Sequence, residues 1–331
     1  MHFRIKKKLK DFYFQFEKRC TNPLRSFLYH RYDAIPVHVK TNIRPIVNIW
    51  FLKRYYSGIM HAKRFIQESS AINYEIPRNL GFSSISFEST EQLSGAIKSA
   101  NSILSNYKST SMEAAGKTYL RTIASISDLD PKDPIVKIAL NDELLACVTK
   151  YLGVAPHLNS INVMWSPPSK VTQKSSSSWS GSQLFHIDGD SDGIVKVWIL
   201  CNEVGEDNGP TTLIPANLSL RISKEISYSP KGKVKDDTPF IAVLDKAFKA
   251  TGKAGTMFAT DTARCFHQGS RTKENSERLV IMYFYDTFRS SWYISGFNPP
   301  SMIMSEKWKA FISSLPSHKK YLFRMLKQQS V

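Results

Sequence analysis

The sequence contains little that would staple it or embed it. Its four cysteines (Cys20, Cys147, Cys201, Cys265) show no CxxC and no Cys/His spacing. A disulfide framework and a structural zinc site are therefore not expected, and a reducing, cytoplasmic setting fits. Cys201 and Cys265 lie in apolar runs and read as small buried hydrophobes. No apolar run is long enough to cross a bilayer; residues 45–52 come nearest and contain Asn48. The basic N-terminus lacks the apolar core of a secretory signal. Acidic residues are scarce at one end only. Residues 1–66 hold fifteen Lys/Arg against three Asp/Glu, whereas the remainder holds 30 against 25, so most of the net charge of +17 belongs to an N-terminal segment.

What is present is an ordinary globular content, with 42% hydrophobic residues in 331. The pattern divides the chain into a basic, aromatic extension over residues 1–75 and a larger domain over 76–331, with its core at about 135–290. In the extension, Ile5, Leu9, Phe12 and Phe16 share one helical face among lysines. Such a helix over 1–20 is expected to contact an anionic membrane surface peripherally or a nucleic acid, or to pack on its own core. The spacing predicts a strand at 80–86, a helix at 91–107 and a second helix ending at Gly153. Beyond Gly153, short Val/Ile/aromatic runs alternate with turn clusters such as Gly205–Pro210. Residues 167–182 and 221–250 read as a Ser-rich loop and an irregular charged insertion. The texture is mainly β with flanking helices, in a closed architecture such as a jelly roll.

The chemistry concentrates in two places. His186 and Asp188 stand two residues apart at a strand end, so imidazole and carboxylate point to one face. His267 ends another apolar run and supplies a third ligand. Two histidines and a carboxylate form the facial triad of non-haem Fe(II) oxygenases, which leaves positions open on the metal. Arg278 lies eleven residues beyond His267 and opens the strongly apolar run Leu279–Phe284, where a guanidinium needs a carboxylate partner. Lys196 interrupts the strand 193–201. It is either a pocket cation or a surface lysine, according to which face lines the interior. Asn162 and Gln183 are candidate pocket polar groups. Residues 188–193 also have the opening of a calcium loop, but the twelfth position is Ile199 where a glutamate is needed. Asp190 and Asp192 then read as solvated loop residues.

The stretch FHIDGDSDGIVKVWILCNEVGEDNGPTTLIP, followed by GTMFATDTARCFHQGS and Arg278, resembles the phytanoyl-CoA dioxygenase family of Fe(II)/2-oxoglutarate-dependent oxygenases. The resemblance covers roughly residues 135–285. It implies a double-stranded β-helix of cupin-like type, with His186, Asp188 and His267 as iron ligands and Arg278 as the clamp for 2-oxoglutarate. Lys196, Ser270, Asn162 and Gln183 are candidate cosubstrate contacts. It further implies O2 as co-reactant, succinate and CO2 as products, and hydroxylation of a small-molecule, acyl or lipid-linked substrate. Related halogenases lack the carboxylate that Asp188 provides. The sequence departs from the family at Ala216-Asn217-Leu218, where Gly-Ser-His is common, and at Gly269, where some members carry a hydroxyl. A nucleic-acid demethylase and a non-catalytic metal-binding cupin are the competing readings. The charge lies away from the motif, which disfavours nucleic acid, and Arg278 speaks against a simple cupin.

Overall fold

The computed structural model describes residues 31, 35–67, 74–86, 90–110, 117–169, 179–228, 232–235, 237–290 and 305–324. The amphipathic segment 1–20 lies outside these residues. Helices α1 (Val37–Asn42), α2 (Arg44–Trp50) and α3 (Leu52–Gln67) come first. Strand β1 (Phe82–Ile85), helix α4 (Thr90–Ser109) and strand β2 (Arg121–Ser125) follow. Helices α5 (Pro134–Ala139) and α6 (Asp142–Leu152) lead into β3 (His157–Ser166) and β4 (Val195–Leu200). Then come β5 (Thr212–Leu213), α7 (Ala216–Glu225), β6 (Phe248–Lys249), β7 (Met257–Thr260), β8 (His267–Gln268) and β9 (Arg278–Asp286). Helices α8 (Glu306–Ser314) and α9 (Ser317–Leu322) complete the described set.

Two antiparallel sheets organise these elements. The larger has the order β1-β7-β4-β9-β3-β2, and the smaller β6-β5-β8. A bridge between His186 and His267 extends the smaller sheet past β8, and a second bridge, Phe185 to Val234, extends it further. Strand alternation gives each face of the larger sheet a separate task. Ile161, Val163, Val197, Ile199, Ile281, Tyr283 and Tyr285 face outward into one buried cluster with helices α4 to α6. Trp198, Leu200, Phe258, Val280 and Met282 face the other way, toward the smaller sheet. Phe248 of β6 closes that gap, stacking on Phe82 at 5.0 Å and tilting against Phe258 at 5.7 Å.

The helix α6 shows why the outer layer forms. Asn141 caps it by accepting from Leu144 N at 3.0 Å, which contributes about 1 kcal/mol. Gly153 ends it at φ +73°, as the sequence predicts. Leu144, Leu145 and Val148 are fully buried, each contributing roughly 1.5–3 kcal/mol of apolar transfer. The predicted single helix ending at Gly153 is in fact two, because Asp133 and Pro134 start α5 and Asn141 restarts the chain as α6.

Two expectations need correction. The segment 221–250 is not irregular. It contains the end of α7 and a 3-10 helix, Thr238–Lys246, whose Ile222, Phe240 and Val243 cover Phe185, Ile214 and Phe266. Its charges are outward-facing and masked this apolar period. Asp192 is not solvated either. It is buried and accepts both Arg289 Nε contacts at 3.2 Å, with Arg44 of α2 as a further partner. Lys40 of α1 likewise donates to Gly189 O. The extension's helices are thus keyed into the loop that follows Asp188. Ala155 N also donates to Gly58 O at 3.0 Å, tying α3 to the segment before β3.

Removing one partner of a buried ion pair leaves an uncompensated charge, a cost of about 3–5 kcal/mol. Asp192→Ala is therefore expected to lower the urea midpoint by that amount of stability while leaving the slope unchanged. A loss below about 1 kcal/mol, as for an exposed pair, would show that the Asp192–Arg289 contact is dispensable.

Candidate metal centre and arginine pocket

His186 and His267 are 81 positions apart and meet because their backbones pair. His186 N donates to His267 O at 3.1 Å, and His267 N donates to His186 O at 2.9 Å. The rings stand 4.1 Å apart, centroid to centroid. Asp188 reaches the same point from two residues on, held by its N–H to Thr262 O at 2.9 Å. Its Oδ1 is 4.0 Å from His186 Nε2 and its Oδ2 is 3.8 Å from His267 Nε2. One ligand atom from each of the three lies within 4.8 Å of the others. The predicted triad is assembled.

The protonation states suit a cation. His186 Nδ1–H donates to Leu184 O at 2.8 Å and His267 Nδ1–H to Cys265 O at 3.1 Å. These bonds fix the tautomer that leaves each Nε2 lone pair pointing inward. Burial lowers both imidazoles, reinforced at His186 by His267; Asp188 pulls the other way at both. His267 falls to about 4, so both rings are neutral and able to ligate. Burial by itself would raise the Asp188 carboxyl, but the Lys196 ammonium, which donates to it, outweighs burial and holds the group well below the usual carboxylate range. The set therefore offers two neutral nitrogens and one anionic oxygen, a donor set that fits a divalent first-row metal.

Lys196 does face the interior. Its Nζ lies 2.7 Å from Asp188 Oδ2 and 5.2 Å from the centre of the Phe284 ring. It is thus a counter-ion to a ligand, and its ammonium is committed to that carboxylate.

Arg278 sits at the other end of the inter-sheet space. It is 3% exposed. It donates to Thr211 Oγ1 at 3.0 Å and Ser270 Oγ at 2.9 Å, with Ser166 Oγ at 3.5 Å, while its Nε has no partner. No carboxylate pairs with it among the described residues, and burial alone pushes it down to about 10. Three hydroxyls orient the guanidinium without neutralising it. Gly269 lies against it: a Cβ there would stand 3.4 Å from Arg278 Nη2 and from Thr211 Oγ1, an ordinary contact distance. Residues 267 and 269 share a face of an extended segment, about 6.5–7 Å apart. Arg278 is bonded to Ser270, three positions beyond the candidate ligand His267 on the same segment.

The remaining candidates play supporting parts. Ser270, in the left-handed region at φ +62°, holds Arg278. Gln183 donates to Ser270 O at 2.9 Å and accepts from Ser180 N at 3.3 Å, so both ends of its amide fix the loop. Asn162 lies on the inner face of β3 and donates to Ser160 Oγ at 3.2 Å. Sequence reasoning missed Ser166 and Thr211, because isolated hydroxyls beside prolines carry no signal until Arg278 is placed next to them. Thr211 reaches it through the turn at Gly209, whose φ of +62° and 2.5 Å clearance from a Cβ to Arg271 N admit glycine alone. Asp261 was also missed. It is buried, accepts from Tyr151 Oη at 2.6 Å and from Ala263 N at 3.0 Å, and so shapes the turn that holds Asp188.

A separate cavity of about 570 Å³ is bounded by α1, α7 and the 187–189 segment. Its lining combines apolar Val37, Ile187 and Leu220 with Arg78, Lys224 and Arg264, and includes no acidic residue.

No protein-family model matches the sequence, and no curated protein matches it. Among solved structures, the chain is similar to EctD from S. alaskensis in complex with 2-oxoglutarate and 5-hydroxyectoine. That match has 14% identity and a TM-score of 0.46, over 67% of this chain and 80% of EctD. It is also similar to SnoK, a non-heme alpha-ketoglutarate-dependent carbocyclase from nogalamycin biosynthesis, at 14% identity and a TM-score of 0.43, over 73% of this chain and 96% of SnoK. A third is the non-heme monooxygenase ThoJ as its nickel complex, at 16% identity and a TM-score of 0.45, over 76% of this chain and 98% of ThoJ. At these values the likeness assigns no activity to this chain.

The donor set makes a direct prediction. His186→Ala and His267→Ala should each abolish binding of one Fe(II) per chain in anaerobic titration, with folding retained. Stoichiometric iron in both variants would mean that the metal, if any, sits elsewhere.

Proposed function

We propose that this chain is an Fe(II)/2-oxoglutarate-dependent dioxygenase of the phytanoyl-CoA dioxygenase type, which hydroxylates an aliphatic C–H of a small-molecule, acyl or lipid-linked substrate. The observation that carries this reading is Arg278, a buried guanidinium with no carboxylate partner among the described residues, bonded to Ser270 three positions beyond the candidate ligand His267. A buried cation left this way is costly unless a ligand supplies the missing charge. A five-carbon 2-oxo diacid has the length and the second carboxylate to do so.

When bound, Fe(II), 2-oxoglutarate and O2 would supply the oxidation, one oxygen atom going to succinate as CO2 is lost and the other to the substrate C–H bond. The protein positions and insulates. His186, Asp188 and His267 would hold the metal, supplying three ligand atoms within 4.8 Å of one another. Arg278 receives the distal carboxylate in its planar fork, aligned by Thr211 and Ser270. Trp198, Phe258 and Met282 line the interior with apolar surface, which excludes water and strengthens these charge contacts. Lys196 keeps Asp188 ionised and oriented before the metal arrives. We read the two sheets as a double-stranded β-helix, with the triad on the smaller sheet. The 570 Å³ cavity reaches Ile187 and Gly189 on either side of Asp188, and its basic and apolar lining favours a substrate, or a carrier attached to it, that combines an anionic group with an apolar body.

Losing one partner of a buried, hydrogen-bonded charge pair costs on the order of 2–5 kcal/mol. Arg278→Ala should thus raise the 2-oxoglutarate concentration needed for succinate formation by tens-fold or more, while anaerobic Fe(II) titration stays near the parent value. An unchanged 2-oxoglutarate dependence would assign the distal carboxylate to another residue.

A further inference from the structure

Helices α1 to α3 bury one face and leave another uncovered. Gly58, Ala62 and Phe65 of α3 are seated on the core. On the opposite side, Leu52, Tyr56 and Met60 recur at i, i+4 and i+8 and form a row along the helix. Five of the six most exposed large apolar groups among the described residues lie on α2 and α3; the sixth, Ile241, lies elsewhere. Trp50 is 79% exposed, Ile49 69%, Tyr56 66%, Leu52 62% and Ile46 56%. At about 100° per residue, Lys63 falls within the row of α3, and Lys53 and Arg64 fall at its border. Residues 34–67 contain six Lys/Arg and no Asp/Glu. Two of the six, Lys40 and Arg44, turn inward to Gly189 O and Asp192. The other four, Lys53, Arg54, Lys63 and Arg64, are exposed.

We propose that this face docks on an anionic lipid bilayer, with Trp50, Leu52 and Tyr56 entering the boundary between headgroups and acyl chains and Lys53, Lys63 and Arg64 meeting lipid phosphates. Charge selects the occupant. The chain's own residues 1–30 carry eight Lys/Arg against two Asp/Glu and would bring like charge to the face. A second copy would set the same acid-free, basic surface against itself. A nucleic acid satisfies the cations but places its phosphates against exposed Trp, Leu and Ile. An anionic bilayer satisfies both halves at once, since apolar side chains gain burial while each nearby cation gains attraction that salt screens. An aromatic with a polar edge, as in Trp50 and Tyr56, is the side chain such a boundary favours. The inference is independent of the oxygenase reading, because it needs no metal and no turnover.

The test is co-sedimentation of the full-length protein with phosphatidylcholine vesicles, with and without phosphatidylserine, at low and high salt. Binding is expected only with phosphatidylserine and is expected to weaken with salt. Trp50→Ser with Tyr56→Ser, and separately Lys53→Glu with Lys63→Glu, should each lower the partition coefficient at least tenfold. All four side chains are on the surface, so unchanged unfolding midpoints and unchanged Fe(II) titration should accompany the loss. In the full chain, Lys6→Glu with Lys7→Glu and Lys8→Glu should have a smaller effect than either pair. The proposal is overturned if the parent ignores phosphatidylserine vesicles, or if both pairs bind as the parent does. It is also overturned if the triple variant alone abolishes binding, or if the parent is a dimer that Trp50→Ser with Tyr56→Ser dissociates without any change at vesicles.

Discussion

The pairing of two backbone amides with two carbonyls, His186 with His267, is the constraint on which the site depends. It sets the rings 4.1 Å apart and defines the edge along which β8 and the segment before Asp188 run. Strand periodicity does the rest. Asp188 returns to the face of His186, and position 269 returns to the face of His267. Beside position 269 lies Arg278 from the facing sheet, at ordinary contact distance. A one-residue slip in this pairing would turn every one of these groups to the outside.

Around that pairing the charges divide into two kinds. Near the ligands they are balanced, with Lys196 on Asp188, and Arg289 and Arg44 on Asp192 four residues later. At Arg278 they are not. Its neighbours are hydroxyls, which orient a guanidinium at little cost and leave its charge available. A structural arginine buried to this depth would be expected to hold an acidic partner. The contrast is between Arg289, paired with Asp192, and Arg278, whose partners among the described residues are Ser and Thr hydroxyls.

Much of this was legible in the sequence, because the informative residues stand at fixed short spacings. His186 and Asp188 are two apart on a strand, and Arg278 opens a strand whose apolar run, Leu279 to Phe284, is unmistakable. Gly153 stops a helix for a reason that belongs to glycine alone. Illegible were the relations that exist only across the fold. Ser166, Thr211 and Ser270 converge on Arg278 from three separate segments. Asp192 reads as a loop residue because its partner Arg289 lies 97 positions away. Alternation left Lys196 undecided, since the sequence does not say which face of the strand is inside. The helices α7 and 238–246 were hidden because charged outward faces diluted a short apolar period. The site's ligands are thus a local message, and its electrostatics a global one.

The central claim is that Arg278 is a receptor for the distal carboxylate of a 2-oxo acid lying on the metal. Thermal unfolding of the anaerobic Fe(II)-loaded protein with 2-oxoglutarate, compared with 2-oxovalerate of equal chain length, tests it without knowledge of the substrate. The account predicts that 2-oxoglutarate raises the midpoint strongly and that 2-oxovalerate, which lacks the second carboxylate, raises it little. It further predicts that this difference disappears in Arg278→Ala. Equal stabilisation of the parent protein by the two acids would contradict it.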